Sequence, residues 1–205
     1  MTNLLFTSDI DAIAAVLRRG GTAIVPTDTV YGLAASLEYP AAIARLYELK
    51  KRPDGKPIPI LISGPEVLQR LATGLSGSAR TLIESFWPGP LTLVVQASGA
   101  VPTACLSGGA TVGLRMPDHP DLLGLLEACG GALAVTSANA SGQPETTSAA
   151  AAFDSLNQLP DIVLDCGDTP GGLPSTVVDT LARPPVILRS GRLDPSTIFE
   201  LVGES

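Results

Sequence analysis

The chain predicts an α/β fold built on a mixed, largely covered sheet, and three observations carry that prediction. Short apolar, β-branched runs alternate with helical patterns from one end to the other. Many of those runs are apolar at consecutive positions, which suits strands covered on both faces. The 205 residues are 45% hydrophobic and 16% charged, enough apolar material for a substantial core and too little charge for a disordered polyampholyte.

Ser8 and Asp11 have the spacing of a capping box, opening an amphipathic helix that runs to residue 19 and closes at Gly20-Gly21. Residues 22–25 form a buried strand. Pro40 suits the first turn of a helix that groups Ile43, Leu46, Tyr47 and Leu49. A short strand over 58–62 follows, then helices over 66–72 and 79–86, the second stopped by Trp87-Pro88-Gly89-Pro90. Strands are expected over 91–95 and 112–115, a helix over 122–128 ended by Gly130-Gly131, and a strand over 132–136. Segments 149–156, 162–165, 176–179 and 186–188 continue the alternation, and 197–202 reads as a weak final helix. No repeat and no Gly/Ser-rich linker divides the sequence, so residues 1–205 read as one domain.

Composition also narrows function. The net charge of −7 argues against a generally basic nucleic-acid surface, while leaving room for a local basic site. No apolar run approaches the ~18 residues that span a bilayer, and the first residues lack the basic and apolar regions of a secretory signal. Cys105, Cys129 and Cys166 are odd in number with no CxxC spacing, as expected of reduced thiols in a cytoplasmic protein. His119 is the only histidine, so a multi-histidine metal site is impossible and a Ser-His-Asp triad would rest on it alone.

The candidate chemistry sits at strand ends, where open α/β sheets place ligands. The strand over 22–25 runs into Pro26-Thr27-Asp28-Thr29-Val30-Tyr31-Gly32-Leu33, and a helix ends at Lys50-Lys51-Arg52-Pro53, with Lys56 beyond. Taken singly, Thr29 suits a turn, Tyr31 a core ring, and the cations a solvated helix end that complements the macrodipole. Arg115 emerges where a strand gives way to a loop. Its guanidinium suits a carboxylate or phosphate, or a salt bridge to Asp118 or Asp121. Further polar clusters follow at Thr136-Ser137-Ala138-Asn139-Ala140-Ser141-Gly142, at Gly171-Gly172-Leu173-Pro174-Ser175-Thr176 and at Leu188-Arg189-Ser190-Gly191. Neither G-x-x-x-x-G-K-[ST] nor G-x-G-x-x-G occurs, so scattered side chains must hold any nucleotide. These features alone indicate an α/β enzyme for an anionic small molecule.

Pro26 to Leu33, Lys50-x-Arg52, Trp87-Pro88-Gly89-Pro90-Leu91-Thr92, Val112 to Pro120, Ser137-x-Asn139 with Ser141-Gly142, and Ser175-Thr176-Val177-Val178-Asp179 occur in this order. Together they resemble the YrdC-like family of threonylcarbamoyl-adenylate synthases, over roughly residues 12–192, in its short, single-domain form. The resemblance implies a twisted, mixed open sheet flanked by helices. It also implies synthesis of threonylcarbamoyl-adenylate and pyrophosphate from L-threonine, bicarbonate and ATP with Mg²⁺. The product would pass to threonylcarbamoyl-transfer proteins that modify tRNA.

By the family pattern, Thr29 contacts threonine, Arg115 fixes its carboxylate, and Ser137 and Ser175 add hydrogen bonds. Arg52, Lys56 and Arg189 hold ATP phosphates, Lys50 adds charge, and Asn139, Thr111, Val135 and Glu145 fall at further nucleotide positions. Lys50 and Arg52 are the catalytic pair that the resemblance implies, and no protein metal ligand is expected. Two departures stand out. Leu61 occupies a threonine-site position where many longer relatives carry histidine, and Glu145 one where a hydroxyl residue is common. The alternatives are a paralogue that handles carbamoyl-adenylate or hydrolyses adenylates, and an RNA-binding or ribosome-assembly module.

Overall fold

The computed structural model describes residues 5–51, 55–156 and 158–203. Its strands are β1 (Phe6–Thr7), β2 (Thr22–Val25), β3 (Gly32–Ser36), β4 (Ile60–Ile62), β5 (Ala72–Thr73), β6 (Leu91–Ala97), β7 (Thr111–Arg115), β8 (Ala132–Ser137), β9 (Ile162–Leu164), β10 (Thr176–Asp179) and β11 (Val186–Arg189). Its helices are α1 (Ile10–Leu17), α2 (Pro40–Lys50), α3 (Pro65–Leu71), α4 (Gly77–Phe86), α5 (Thr103–Leu106), α6 (Pro120–Ala128), α7 (Ala149–Asp154) and α8 (Pro195–Val202).

The strands join in one open sheet, ordered β1-β9-β2-β3-β8-β4-β7-β6-β10-β11, with β5 paired to β6. It is mixed, as expected. β4 runs parallel to β7, and β6 to β10, whereas β3 is antiparallel to both β2 and β8. Side chains alternate between two apolar layers. Ile24 faces one layer, while its neighbours Ala23 and Val25 face the other. Leu122, Leu125 and Leu126 of α6 and Ile13, Ala14 and Leu17 of α1 cover the second layer. The first is covered by α2, α3, α4, α7 and α8, through residues such as Leu46, Leu68, Leu82, Ala152 and Ile198. Among the described residues no helix is long and apolar enough to cross a membrane.

Helix starts depart from the sequence reading by local chemistry. The cap of α1 is Asp9, not Ser8, because its carboxylate accepts from Asp11 N–H and Ala12 N–H. Ser76 caps α4 through Ala79 N–H, and His119 caps α6 through Leu122 N–H, so both helices begin earlier than the apolar pattern suggests.

β3 is the larger difference, since its residues read as the tail of a polar loop. Gly32, Ala34 and Ala35 have little strand preference of their own, but all five residues of β3 are buried between β2 and β8. A Cβ on Gly32 would lie 2.6 Å from Val135 Cγ1, so close backbone approach explains the glycine. β4 is shorter than expected: Ile58 is buried but pairs outside the ladder, its N–H donating 3.1 Å to Cys105 O.

The register gathers strand ends at one place. Gly32 lies opposite Ser137, and Leu61 opposite Arg115. Extending the β6–β7 ladder from Leu93 opposite Leu114 puts Thr92 across from Arg115.

Candidate active site

A cleft opens where β2 hands over to β3 and where β4, β7, β8, β10 and β11 end or begin. Thr27, Thr29, Leu61, Thr92, Arg115 and Ser137 line it, together with Val135, Ser175 and Arg189. Its volume is about 130 Å³. That is well below the ~300–1,000 Å³ of pockets that enclose drug-sized ligands, so it suits a small metabolite and leaves a nucleotide to bind outside it.

The turn over 26–31 is built by its own hydroxyls. Thr27 Oγ1 accepts from Thr29 N–H at 3.0 Å and Val30 N–H at 3.2 Å, and lies 2.8 Å from Val30 O. Tyr31 is fully buried and donates its hydroxyl proton to Gly167 O at 2.6 Å. Burial pushes its pKa up to about 12, which makes it a neutral wall of the cleft. The core-ring reading of Tyr31 therefore holds, alongside its place in the lining.

Arg115 is 5% exposed and spends three donors on the protein. Nε donates to Gly89 O at 2.9 Å, Nη1 to Thr29 Oγ1 at 3.1 Å and Nη2 to Asp28 Oδ1 at 2.5 Å. Its ion-pair partner is thus Asp28, from the neighbouring turn, and not Asp118 or Asp121. Burial lowers its pKa, Asp28 opposes that shift, and the charges of Arg189 and Arg192 reinforce it. On the other wall, Arg189 donates to Ser175 O at 2.8 Å and to Ser175 Oγ at 3.1 Å, and Ser175 Oγ lies 2.8 Å from Thr92 Oγ1. Arg192 donates 2.7 Å to Asp28 O and so bridges the turn to the segment after β11.

Lys50 ends α2, yet it is no solvated cationic stop. It is 2% exposed, and its ammonium donates to Ser137 O, to Asn139 O at 2.7 Å and to Asn139 Oδ1 at 3.1 Å. Asn139 Nδ2 in turn donates to Gln143 O at 2.5 Å, and Ser141 N–H to Lys50 O at 3.0 Å. The end of α2 is therefore stitched to the segment after β8. Lys51 adopts a left-handed conformation, φ 49°, which turns the chain away from the helix.

Seven of the residues singled out in the sequence converge on this lining: Thr29, Leu61, Arg115, Val135, Ser137, Ser175 and Arg189. Lys50 and Asn139 stand directly behind Ser137. Lys56 is exposed and Glu145 half-buried, and neither lines the cleft. Thr111 begins β7 at the end opposite Arg115, about 13 Å along the strand at 3.3 Å per residue. Arg52 lies outside the described residues. Sequence reasoning missed three contributors to the site: Asp28, Thr92 and Arg192. Thr92 and Asp28 sat inside the quoted segments, and Arg192 follows Gly191 at the end of the resemblance.

Comparison with known proteins places this cleft in context. Residues 15–191 match the Sua5/YciO/YrdC family, described as telomere recombination. The chain belongs to the Sua5/YciO/YrdC family. Among relatives of this domain, the threonylcarbamoyl-AMP synthase of Pyrococcus abyssi (strain GE5 / Orsay) is 40% identical over 93% of this chain and 56% of its own length. That of Bacillus subtilis (strain 168) is 36% identical over 99% of this chain and 60% of its own length. The chain thus spans less than two thirds of these two relatives. Solved family structures agree: P. abyssi Sua5 complexed with L-threonine superimposes with a TM-score of 0.91 at 39% identity, covering 95% of this chain and 57% of that one. Escherichia coli YciO does so with a TM-score of 0.82 at 27% identity, covering 93% and 95%.

Proposed function

We propose that this chain is a threonylcarbamoyl-AMP synthase, making threonylcarbamoyl-adenylate, pyrophosphate and water from L-threonine, bicarbonate and ATP. The observation that carries the reading is the buried Arg115 guanidinium at the floor of a small hydroxyl-lined cleft, in a family whose P. abyssi member is known in complex with L-threonine. Arg115 receives the amino-acid carboxylate, with Thr29, Ser137 and Ser175 around it. The threonine amine adds to bicarbonate, losing water, and the carbamate oxygen attacks the α-phosphorus as pyrophosphate leaves.

Both partners in that attack are anionic, so the cations have a clear task. Arg189 and Arg192 at the cleft and Arg52 and Lys56 on the segment after α2 offset the repulsion and stabilise the leaving pyrophosphate. Lys50 acts from behind, fixing the Ser137–Asn139 segment against which the reactants rest. Asn139, Val135, Thr111 and Glu145 are nucleotide contacts in this reading. The cleft's donors are guanidinium and hydroxyl groups, and its carboxylate, Asp28, is engaged by Arg115. That set does not suit a resident magnesium ion, so Mg²⁺ enters as part of the substrate, on the ATP phosphates. The product is consumed by threonylcarbamoyl transfer to tRNA.

Mass spectrometry with labelled bicarbonate tests the reading: the label should appear in a threonine-dependent adenylate. Arg52→Ala should abolish threonine-dependent pyrophosphate release and keep the fold, since a charge-assisted contact contributes roughly 1.5–3 kcal/mol. Full activity of that variant would refute its role. Pyrophosphate release indifferent to threonine would favour a carbamoyl-adenylate paralogue instead.

A further inference from the structure

The hydroxyl groups of the cleft have a fixed polarity. A hydroxyl carries one proton and two lone pairs, and a carbonyl only accepts. Thr27 Oγ1 lies 2.8 Å from Val30 O, so the Thr27 proton is committed there. The 2.9 Å contact between the Thr27 and Thr29 hydroxyls is then donated by Thr29. One lone pair of Thr29 accepts from Arg115 Nη1 at 3.1 Å. Thr29 therefore turns a lone pair and no proton toward the cleft, although it is only 1% exposed.

The opposite wall has the reverse character. Thr92 and Ser175 share one hydrogen bond of 2.8 Å, and Ser175 Oγ also accepts from Arg189 Nη2 at 3.1 Å. Two hydroxyl protons serve one shared bond, so one proton of the pair has no acceptor among the described residues. Both side chains line the cleft, at 5% and 6% exposure. Arg115 adds two more donors, because three of its five N–H groups are spent on Gly89, Thr29 and Asp28.

From this polarity we infer that Thr27 and Thr92 determine the specificity of the cleft for an α-amino acid. Thr27 forces Thr29 to accept an N–H from the substrate amine, and Thr92, with Ser175, supplies a third donor to the carboxylate held by Arg115. The inference rests on the proposed function and deepens it. An acceptor beside the amine leaves the nitrogen lone pair free to attack carbon, whereas a donor there would occupy that lone pair. A ligand without the amine leaves the Thr29 oxygen buried and unpaired.

Calorimetric binding of L-threonine and of (R)-3-hydroxybutanoate, which keeps the carboxylate and hydroxyl but lacks the amine, tests this. The unaltered protein should prefer threonine by about tenfold to a hundredfold, the size of one orphaned buried acceptor. Thr27→Val, which frees the Thr29 proton, should weaken threonine while leaving hydroxybutanoate unchanged. Thr27→Ser should keep the preference. Thr92→Val should weaken both ligands equally. An equal loss of both ligands in Thr27→Val, or no preference in the unaltered protein, would overturn the inference while threonine still binds. Failure of threonine to bind the unaltered protein would instead overturn the proposed function, and the inference with it. If Thr27→Val does not fold, the preference of the unaltered protein and of Thr27→Ser still decides.

Discussion

Asp28→Ala isolates the electrostatic design of the cleft. Asp28 Oδ1 lies 2.5 Å from Arg115 Nη2, and their side chains are only 12% and 6% exposed. Removing the carboxylate leaves Arg115 buried beside Arg189 and Arg192, whose charges already oppose its own. Breaking such a pair from one side costs about 3–5 kcal/mol, far above the median for a surface ion pair. For a chain of this size each kcal/mol moves the thermal midpoint by roughly 2–4 °C, so the midpoint should fall by about 6–20 °C. Differential scanning calorimetry reads this directly. The double variant Asp28→Ala, Arg115→Leu carries no orphaned charge and should recover much of the loss. A fall equivalent to under about 1 kcal/mol for Asp28→Ala, or a double variant no more stable than the single one, would show the pair to be solvated and the argument wrong.

Two further outcomes follow from the geometry. Lys50→Met should orphan Ser137 O and Asn139 O, costing about 1–3 kcal/mol per unsatisfied acceptor. Amide exchange over residues 137–143 should rise and pyrophosphate release should fall; unchanged exchange would contradict the stitching role. Cys166 is exposed, but burial of its thiol and the nearby Asp121 carboxylate raise its pKa from 9.0 to about 11. At pH 8 its thiolate is therefore scarcer by about a hundredfold than that of an ordinary thiol, with alkylation slowed to match and accelerating as pH climbs toward 11. Asp121→Asn should speed it. An iodoacetamide rate equal to that of an unperturbed cysteine would sink this reading.

The long apolar elements were legible because their residues point to the core at helical or strand spacing. α2, β2, β6, β7 and β8 all declare themselves this way. β3 did not, because Gly32, Ala34, Ala35 and Ser36 are poor strand formers held extended by neighbours on both sides. β1, β5 and α5, at two to four residues each, are too short to show a period. Helix starts went astray wherever a cap lay outside the apolar pattern, as with Asp9 and His119.

The site was legible for a different reason. Polar residues directly after apolar strands mark the rim of a sheet, so Thr29, Arg115, Ser137 and Arg189 could be found singly, and the register then brought them together. Pairings were hidden, because they depend on strand order. Nothing in the sequence says that β7 ends beside the turn after β2, yet that adjacency gives Arg115 its partner in Asp28, and not in the nearer Asp118. The same holds for Thr92, which looks like one more β-branched strand residue until β10 brings Ser175 beside it. Residue types revealed which groups were available. Strand order decided which protons were already committed, and a ligand can use only the donors and lone pairs that remain.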